Sequence, residues 1–321
     1  MENENEYTIV LQNQEVLSAV CGTNDANLKL IENHLGTAIF TKGNEISIAA
    51  ENPETQQKFK FIIDRLVDEL SENGTEKTNG QELIESILNT GFDNFDAQAF
   101  SISIPGSARK VYPKTKNQAK LVEAFRKNDL VFATGPAGSG KTFLAVAESL
   151  RLLLSHKINS IVLVRPVVEA GESLGFLPGD LQDKINPYLR PLYDAMNACI
   201  SSEIVKKMQE SGIIEVAPLA YMRGRTLNNA AVILDEAQNT TCEQMKMFLT
   251  RMGEKSKVFV TGDVTQTDLP RKVPSGLVQA LEILKNIEEI SMVELDGDDV
   301  VRSSLVKKIV KAYENDKDYQ R

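Results

Sequence analysis

A glycine-rich octapeptide, Gly-Pro-Ala-Gly-Ser-Gly-Lys-Thr at residues 135–142, combines residue types and spacing that could do chemistry. It fits the P-loop pattern G-x-x-x-x-G-K-[ST] in full. Glycines let the backbone curl so that successive N–H groups face a phosphate, and the dipole of a following helix adds to this attraction. Lys141 would place its ammonium on the β- and γ-phosphates, and the Thr142 hydroxyl would bind Mg²⁺. The residues predicted to bind the nucleotide are Gly135, Pro136, Ala137, Gly138, Ser139, Gly140, Lys141 and Thr142.

An acidic pair, Asp235-Glu236, follows the apolar run at residues 231–234. A buried parallel strand ending in such a pair delivers it to the edge of the sheet where ligands bind. We therefore predict that Asp235 holds Mg²⁺ through a water molecule. Glu236 is predicted to be the general base for an attacking water.

Two amide side chains are further candidates. Gln266 lies in the segment Gly262–Gln266, directly after a predicted strand, and could contact the γ-phosphate. Gln118 lies upstream of the P-loop and could both donate to and accept from an adenine edge. The alternative to this role is that Gln118 is a solvated glutamine at the start of a helix. ATP is favoured over GTP because the one segment like a guanine-reading motif, residues 41–44, lacks the final Asp.

From residue 117 onward, short apolar runs alternate with segments of helical periodicity. This alternation predicts an α/β fold, a P-loop NTPase (RecA-like) parallel sheet with helices on both faces. The predicted strands are 129–134, 160–164, 213–217, 231–235, 257–261 and 290–294. The predicted helices are 117–127, 140–154, 188–200, 203–210, 241–252, 275–285 and 300–314.

The first 70 residues predict a separate β-α-β-β-α unit, with strands at 7–12, 37–41 and 45–49 and helices at 25–35 and 54–70. Residues 71–80 contain no apolar side chain, and one short helix is predicted over 81–90. The predicted domains are therefore 1–70, a linker at 71–110, and an ATPase domain at 111–321.

The amino-acid composition limits the classes of protein to which this chain can belong. Hydrophobic residues make up 42% and charged residues 25%, which is typical of a globular protein. Cysteines 21, 199 and 242 are far apart and there are two histidines, so a zinc site or a Ser-His-Asp hydrolase is disfavoured. Neither a secretory signal nor an apolar run of about 20 residues is seen, which predicts a cytoplasmic protein with no membrane partner.

The net charge of −9 is unevenly distributed. Residues 1–104 hold 6 basic and 18 acidic side chains, whereas residues 105–321 hold 30 and 27. The acidity therefore belongs to the N-terminal third. Charge neither excludes nor predicts contact between the remainder and a nucleic acid.

Together these motifs resemble the PhoH family of ATPases, which is similar to the first core domain of superfamily-one helicases. The resemblance spans about 110–314 and implies ATP binding and hydrolysis coupled to RNA. It also implies a role beside an rRNA-processing endoribonuclease or the ribosome. Family members usually carry Val-Val-Arg-His near the C-terminus, whereas this chain has Ser303 in place of the histidine. The segments that carry the resemblance are Gly135–Thr142, Arg165-Pro166, Glu169–Glu172, Leu174–Asp180, Pro187–Pro191, Tyr221–Leu227, Asp235–Gln238 and Gly262–Gln266.

The N-terminal unit looks like the small α+β KH-like domain of this family. Nucleic-acid-binding KH domains present a Gly-x-x-Gly loop, and residues 1–70 contain none. Because the unit is also acidic, a scaffold or oligomer-contact role is as reasonable an expectation as RNA binding.

A similar helicase hydrolyses ATP between two core domains, and only 55 residues follow Gln266 in this chain. A neighbouring subunit would then supply the missing arginine, which predicts a homo-oligomeric ring, a hexamer in relatives of this kind. Arg302 is the first candidate, and Arg251 and Arg271 are the next. The alternative is that all three form surface ion pairs.

Three further arginines, at positions 165, 223 and 225, lie in predicted loops and could grip the phosphates of single-stranded RNA. The alternative is local pairing with Glu169 or Glu172.

Three function classes follow. The first is an ATPase that remodels RNA or an RNA–protein complex. The second is a nucleotide-switched binding module, and the third a phosphotransferase with a small-molecule acceptor. The Asp-Glu-Ala-Gln and Gly-Asp-x-x-Gln segments favour water as the acceptor, so the third class ranks last.

Overall fold

The computed structural model describes residues 6–12, 14–73, 80–90, 100–107, 110–166 and 181–300, together with Val306 and Ile309. The strands in these ranges are β1 (Glu6–Val10), β2 (Ile39–Lys42), β3 (Glu45–Ala49), β4 (Ile102–Ser103), β5 (Lys110–Val111), β6 (Leu130–Thr134), β7 (Ser160–Arg165), β8 (Ile214–Pro218), β9 (Ala230–Leu234), β10 (Lys257–Gly262) and β11 (Ile290–Glu294). The helices are α1 (Gln14–Cys21), α2 (Ala26–Leu35), α3 (Pro53–Asn73), α4 (Gly80–Thr90), α5 (Lys116–Lys127), α6 (Lys141–Leu154), α7 (Leu181–Cys199), α8 (Ser202–Glu210), α9 (Cys242–Leu249) and α10 (Gly276–Ile283).

The N-terminal unit is a three-stranded antiparallel sheet, in the order β1-β3-β2, covered by helices. Its own core includes the fully buried side chains of Ile31, Ile46 and Phe59. The structure adds helix α1, which the predicted β-α-β-β-α order omits. This helix buries Leu17, Val20 and Cys21 on one face, but it is only eight residues long, too short for a clear periodicity.

Much of the predicted linker, residues 71–110, packs against the two cores. Helix α4 buries Leu83, Ile84 and Ile87 in the N-terminal core. The hairpin of β4 and β5 instead contributes Ile102 and Val111 to the core of the large sheet. These apolar side chains explain why α4 and the β4–β5 hairpin pack on the two units. Residues 74–79, 91–99 and 108–109 of the predicted linker lie outside the described residues.

The large unit is a six-stranded parallel sheet in the order β11-β6-β10-β9-β7-β8. Alternate residues of each strand enter separate cores: Ile161 and Ile233 pack beneath α5 to α8, whereas Val162 and Val232 pack against α9 and α10. This alternation is the period of two that a strand requires when both faces are covered. The predicted α/β fold with helices on both faces is confirmed.

Strand order determines which loops can meet. Strand β10 lies between β6 and β9, with Gly262 opposite Thr134 and Val260 opposite Leu234. Because the strands are parallel, the loops after β6, β9 and β10 emerge side by side at one edge of the sheet. The P-loop, the acidic pair and the segment Gly262–Gln266 follow these three strands.

The predicted strands and helices between 117 and 294 agree with the structure to within a few residues, except that α7 begins at Leu181 and α9 ends at Leu249. The predicted helix 300–314 lies outside the described residues, apart from its start at Val300 and two helical positions, 306 and 309. None of the helices in the described part of the chain combines the length and the apolar character needed to span a bilayer.

Candidate functional site

The P-loop connects β6 to α6 and is held against the ends of β10 and β11. Gly135 donates its backbone N–H to the Gly262 carbonyl at 3.2 Å and has a φ of 139°. A Cβ at this position would lie 2.3 Å from the Leu295 carbonyl oxygen, so only glycine fits. At the other end, Gly140 caps α6 with a left-handed φ of 86°. The loop therefore ends where the helix begins, as a phosphate cradle requires.

Lys141 lies inside this loop. Its Nζ donates to the carbonyls of Gly135 at 2.7 Å and Pro136 at 2.8 Å, and to the Ser139 Oγ at 3.2 Å. Burial lowers the pKa of the Lys141 ammonium, and the charges of Asp263, Asp235 and Glu236 partly oppose that shift. The loop thus holds its cation close to carboxylates that come from two other strands.

Two hydroxyls converge on Asp235, which is buried at the end of β9. Thr142 Oγ1 donates to Asp235 Oδ1 at 2.6 Å, and Thr261 Oγ1 donates to the same oxygen at 2.8 Å. A hydroxyl and a carboxylate are the kinds of oxygen ligand that Mg²⁺ takes beside nucleotide phosphates and water. The described residues hold no group of three or more His, Cys, Asp or Glu that could enclose a metal alone. The donor set therefore fits a magnesium ion that the phosphates and water also bind.

Glu236 is held at both carboxylate oxygens. Arg165 Nη2 lies 3.2 Å from Oε1, and Gln238 Nε2 donates to Oε2 at 2.6 Å. The backbone of Glu236 has a φ of 53°, in the left-handed region that non-glycine residues rarely adopt. Arg165 was predicted to bind RNA or to pair with Glu169 or Glu172. Those two glutamates lie outside the described residues, and the structure pairs Arg165 with the predicted base.

Strand β10 ends at Gly262, and the next four residues, 263–266, lie beside the residues that follow β9. The Asp263 N–H donates to Gln238 Oε1 at 3.0 Å, which ties this loop to the residues after β9. Gln266 donates its backbone N–H to the Asp263 carbonyl at 3.1 Å. Gln266 itself lines the pocket described next.

An open pocket of about 330 Å³ brings these loops together. Eight of the predicted site residues line it: Ala137, Gly138, Gly140, Lys141, Thr142, Asp235, Glu236 and Gln266. The other lining residues are Phe143, Arg165, Pro191, Ala195, Gly262 and Asp263. The predicted catalytic Arg302 lies outside the described residues.

Gln118 lies behind the P-loop, and it does not line the pocket. It is 4% exposed, its Nε2 donates to the Ser139 carbonyl at 3.0 Å, and its Oε1 accepts from the Lys114 N–H at 2.7 Å. The expectation of a solvated glutamine is therefore wrong. Adenine reading by Gln118 stays a prediction, and it requires the amide to give up or share these two bonds.

The other candidate arginines occupy varied environments. Arg225 forms two hydrogen bonds with Glu215, at 2.6 and 2.7 Å, which raise its pKa. Arg251 donates to backbone carbonyls of its own region, including that of Met247 at 3.1 Å. Arg223 and Arg271 are exposed, so both can reach a second molecule.

Three contributors to the site were not predicted as such from the sequence: Thr261 on Asp235, Gln238 between two loops, and Arg165 on Glu236. Each is a polar residue at, or just beyond, the carboxyl end of a parallel strand. That position is the sequence signal that could have found them.

Comparisons with known proteins identify a family and several relatives of this chain. The profile of a family described as PhoH-like protein matches residues 110–314. A "PhoH-like protein" from Bacillus subtilis (strain 168) is 46% identical over 320 residues, covering 95% of this chain and 96% of that protein. One from Mycobacterium tuberculosis (strain H37Rv) is 45% identical over 300 residues, covering 93% and 85%. "Protein PhoH" of Escherichia coli (strain K12) is 47% identical over 202 residues, covering 62% and 57%.

A crystal structure of the Pif1 helicase from Candida albicans is also similar, with a TM-score of 0.28 and 15% identity. The alignment covers 56% of this chain and 39% of that one. A likeness at this level adds nothing to the assignment of fold or function.

Proposed function

The chain belongs to the PhoH-like protein family, and we propose that it is a magnesium-dependent ATPase that acts on RNA or RNA–protein complexes. The observation that carries the proposal is the 2.6 Å hydrogen bond from Thr142 Oγ1 to Asp235 Oδ1. It joins the first residue after the P-loop lysine to the first residue of the acidic pair. In P-loop NTPases these two side chains hold the same Mg²⁺.

Each residue then has a role that its position supports. The N–H groups at the start of α6 and the Lys141 ammonium bind the phosphates, once the ammonium leaves the carbonyls of Gly135 and Pro136. Thr142 and Asp235 orient Mg²⁺, which when bound would neutralise charge on the phosphates. Glu236 accepts the proton of the attacking water.

Gln266 completes the proposed reaction centre. It lies in the loop after β10, on the pocket wall, where its amide can donate to the γ-phosphate. Selection of ATP over GTP belongs to the same proposal, with Gln118 as the candidate for reading adenine.

Coupling to RNA rests on exposed cations beside the sheet and on the family. Arg223, in the loop between β8 and β9, is exposed, whereas Arg225 is bound to Glu215. Single-stranded RNA, an rRNA-processing endoribonuclease or the ribosome, and a cytoplasmic location are the proposed context. A homo-oligomeric ring, a hexamer, would let one subunit's Arg302 reach its neighbour's nucleotide.

One observation favours a second candidate, a nucleotide-switched binding module with slow hydrolysis. Both oxygens of the Glu236 carboxylate are engaged, by Arg165 and by Gln238. A base held in this way accepts a proton from water poorly until the contacts change. ATP would then order a binding surface for longer than one catalytic cycle of a fast ATPase.

Phosphate release from Mg-ATP, with and without single-stranded RNA, tests the proposal on protein sized by light scattering. We expect turnover that requires Mg²⁺, prefers ATP to GTP, rises with RNA and is lost in Lys141→Ala. If the protein binds ATP tightly but turns it over slowly, and RNA does not change the rate, the nucleotide-switched binding module is favoured over the RNA-remodelling ATPase. Absence of calorimetric heat with Mg-ATP contradicts both candidates.

A further inference from the structure

Asp263, directly after β10, has a carboxylate oxygen that no described residue satisfies. The residue is 6% exposed, and its Oδ2 is buried without a hydrogen-bond partner among the described residues. A buried polar atom of this kind needs an explanation, and an ion or a water that the protein binds is one of the common ones. Asp263 lines the same pocket as Thr142 and Asp235.

The rest of this carboxylate is fixed by its own loop. Asp263 Oδ1 accepts from the Thr265 N–H at 2.9 Å and from Thr265 Oγ1 at 2.6 Å. The Asp263 N–H donates to Gln238 at 3.0 Å. Two residues earlier in the chain, Thr261 donates to Asp235 Oδ1. The loop therefore orients Asp263 from one side and leaves Oδ2 as its free acceptor.

The negative charge of Asp263 restricts the kind of partner that Oδ2 can bind. A phosphate oxygen is repelled by a carboxylate, so the partner must be a cation or a hydrogen-bond donor. Asp263 is the carboxylate that acts most strongly on the charge of Lys141, ahead of Asp235 and Glu236. The Lys141 ammonium already has three acceptors in its own loop. A donor that arrives with the nucleotide is the better match.

We propose that Asp263 Oδ2 accepts a hydrogen bond from a water molecule of the Mg²⁺ shell, so that Asp263 is an outer ligand of the metal. The inference rests on the proposed function. We place Oδ2 in the outer shell because the described residues hold no group of three or more His, Cys, Asp or Glu arranged to hold a metal, so Asp235, Glu236 and Asp263 do not converge directly on one ion. Asp235 and Thr142 would hold the ion on one side, and Asp263 would fix its water from the strand between β6 and β9.

The test is Asp263→Asn, which keeps Oδ1 for Thr265 and replaces Oδ2 by a donor. Binding of Mn²⁺ to the full chain with a non-hydrolysable ATP analogue is followed by electron paramagnetic resonance of the free ion. We expect the metal dissociation constant to rise about tenfold, at the lower end of what removing an outer ligand costs. Affinity for the analogue without metal should stay within about twofold of wild type, since the phosphate cradle is unchanged.

Asp268→Asn is the matched control, because Asp268 is exposed in the same loop and does not line the pocket. Its metal affinity should equal that of wild type. If Asp263→Asn fails to fold, Thr265→Val is used instead; it removes one of the two bonds that orient Oδ1 and should weaken metal binding by a smaller factor.

Two results overturn the inference. Unchanged metal affinity in a folded Asp263→Asn protein shows that Oδ2 does not contact the metal shell. If the variant binds the analogue more weakly in the absence of metal, Asp263 acts on the Lys141 ammonium and not on the metal shell. If wild-type protein binds no nucleotide at all, the proposed function fails, and this outcome is distinguishable from both.

Discussion

The two units of this chain treat their buried polar groups differently. In the N-terminal unit the buried Asn27 serves the unit's own structure, because it donates to the Ala19 carbonyl. At the edge of the large sheet, Lys141, Asp235 and Asp263 are buried as well, but they line a pocket. Burying polar groups costs free energy unless they are bonded, so a set of them around a cavity marks where a ligand completes the bonding.

The two units also differ in how their charged side chains are paired. The buried Glu69 of the N-terminal unit is paired with Lys110 at 3.1 Å, and the many other acidic residues there are mostly exposed. At the sheet edge, three carboxylates lie near the single cation of the P-loop. The pair of Glu69 and Lys110 is neutral, whereas the carboxylates at the sheet edge outnumber Lys141 and Arg165 and therefore attract a further cation. Substitutions in each unit can test this contrast.

The largest effect on turnover alone should come from Glu236→Gln, which removes the proposed base and keeps its shape. Turnover should fall about 10²- to 10⁴-fold, the usual contribution of general base catalysis, with nucleotide affinity unchanged. Steady-state phosphate release and calorimetry measure the two quantities. Glu288→Gln, an exposed change far along the chain, is the control. Normal turnover in the variant would show that another group is the base.

Lys141→Ala should weaken nucleotide binding about 10- to 100-fold, since a hydrogen bond to a charged group contributes about 1.5–3 kcal/mol. Turnover should be lost as well. Binding of a fluorescent ATP analogue measures the affinity, with the exposed Lys157→Ala as control. If Lys141→Ala binds the ATP analogue as tightly as wild type, the pocket is not a phosphate site. The buried polar groups of the large unit would then not differ in purpose from those of the N-terminal unit.

Gln118→Ala should change nucleotide use less than Lys141→Ala does. It distinguishes a residue that braces the P-loop from one that binds the nucleotide. It removes the neutral hydrogen bond to the Ser139 carbonyl, so KM for ATP should rise about 2- to 10-fold with little change in kcat. The ratio of kcat/KM for ATP and GTP distinguishes its roles. An unchanged ratio assigns Gln118 to bracing the P-loop, and a reduced preference for ATP assigns it to adenine.

The smallest effect on the nucleotide should come from Ile31→Ala in the N-terminal core. Ile31 is fully buried, so the substitution should lower the free energy of unfolding by about 2–5 kcal/mol. Nucleotide affinity should nevertheless stay within about twofold of wild type under native conditions. Chemical denaturation and calorimetry report the two effects separately. A large loss of affinity would show that the units do not act separately.

Much of the fold could be predicted from residue patterns because β6, β9 and β10 are apolar runs bounded by turns. Helix α1 escaped prediction because it is short, and the packing of α4 depends on a core that the pattern of residues 71–110 does not display. Local sequence specifies an element, but not which neighbour it meets.

The same limit applies to the site. Lys141, Thr142, Asp235 and Glu236 follow a motif and could be named in advance. The contacts of Arg165 with Glu236 and of Thr261 with Asp235 depend on the order β6-β10-β9-β7, which spacing along the chain does not encode. The burial of Gln118 likewise depends on how α5 lies against the P-loop.

The contact between Gly135 and Leu295 has a consequence for biosynthesis. The P-loop packs on Leu295, directly after strand β11, and Asp299 accepts a hydrogen bond from the Thr115 hydroxyl at the start of α5. A ribosome synthesises residues 290–299 well after residues 135–142. A nascent polypeptide therefore carries the whole P-loop motif well before it has the wall behind that motif. The loop therefore reaches its described packing only after β11 has been synthesised and has joined the sheet.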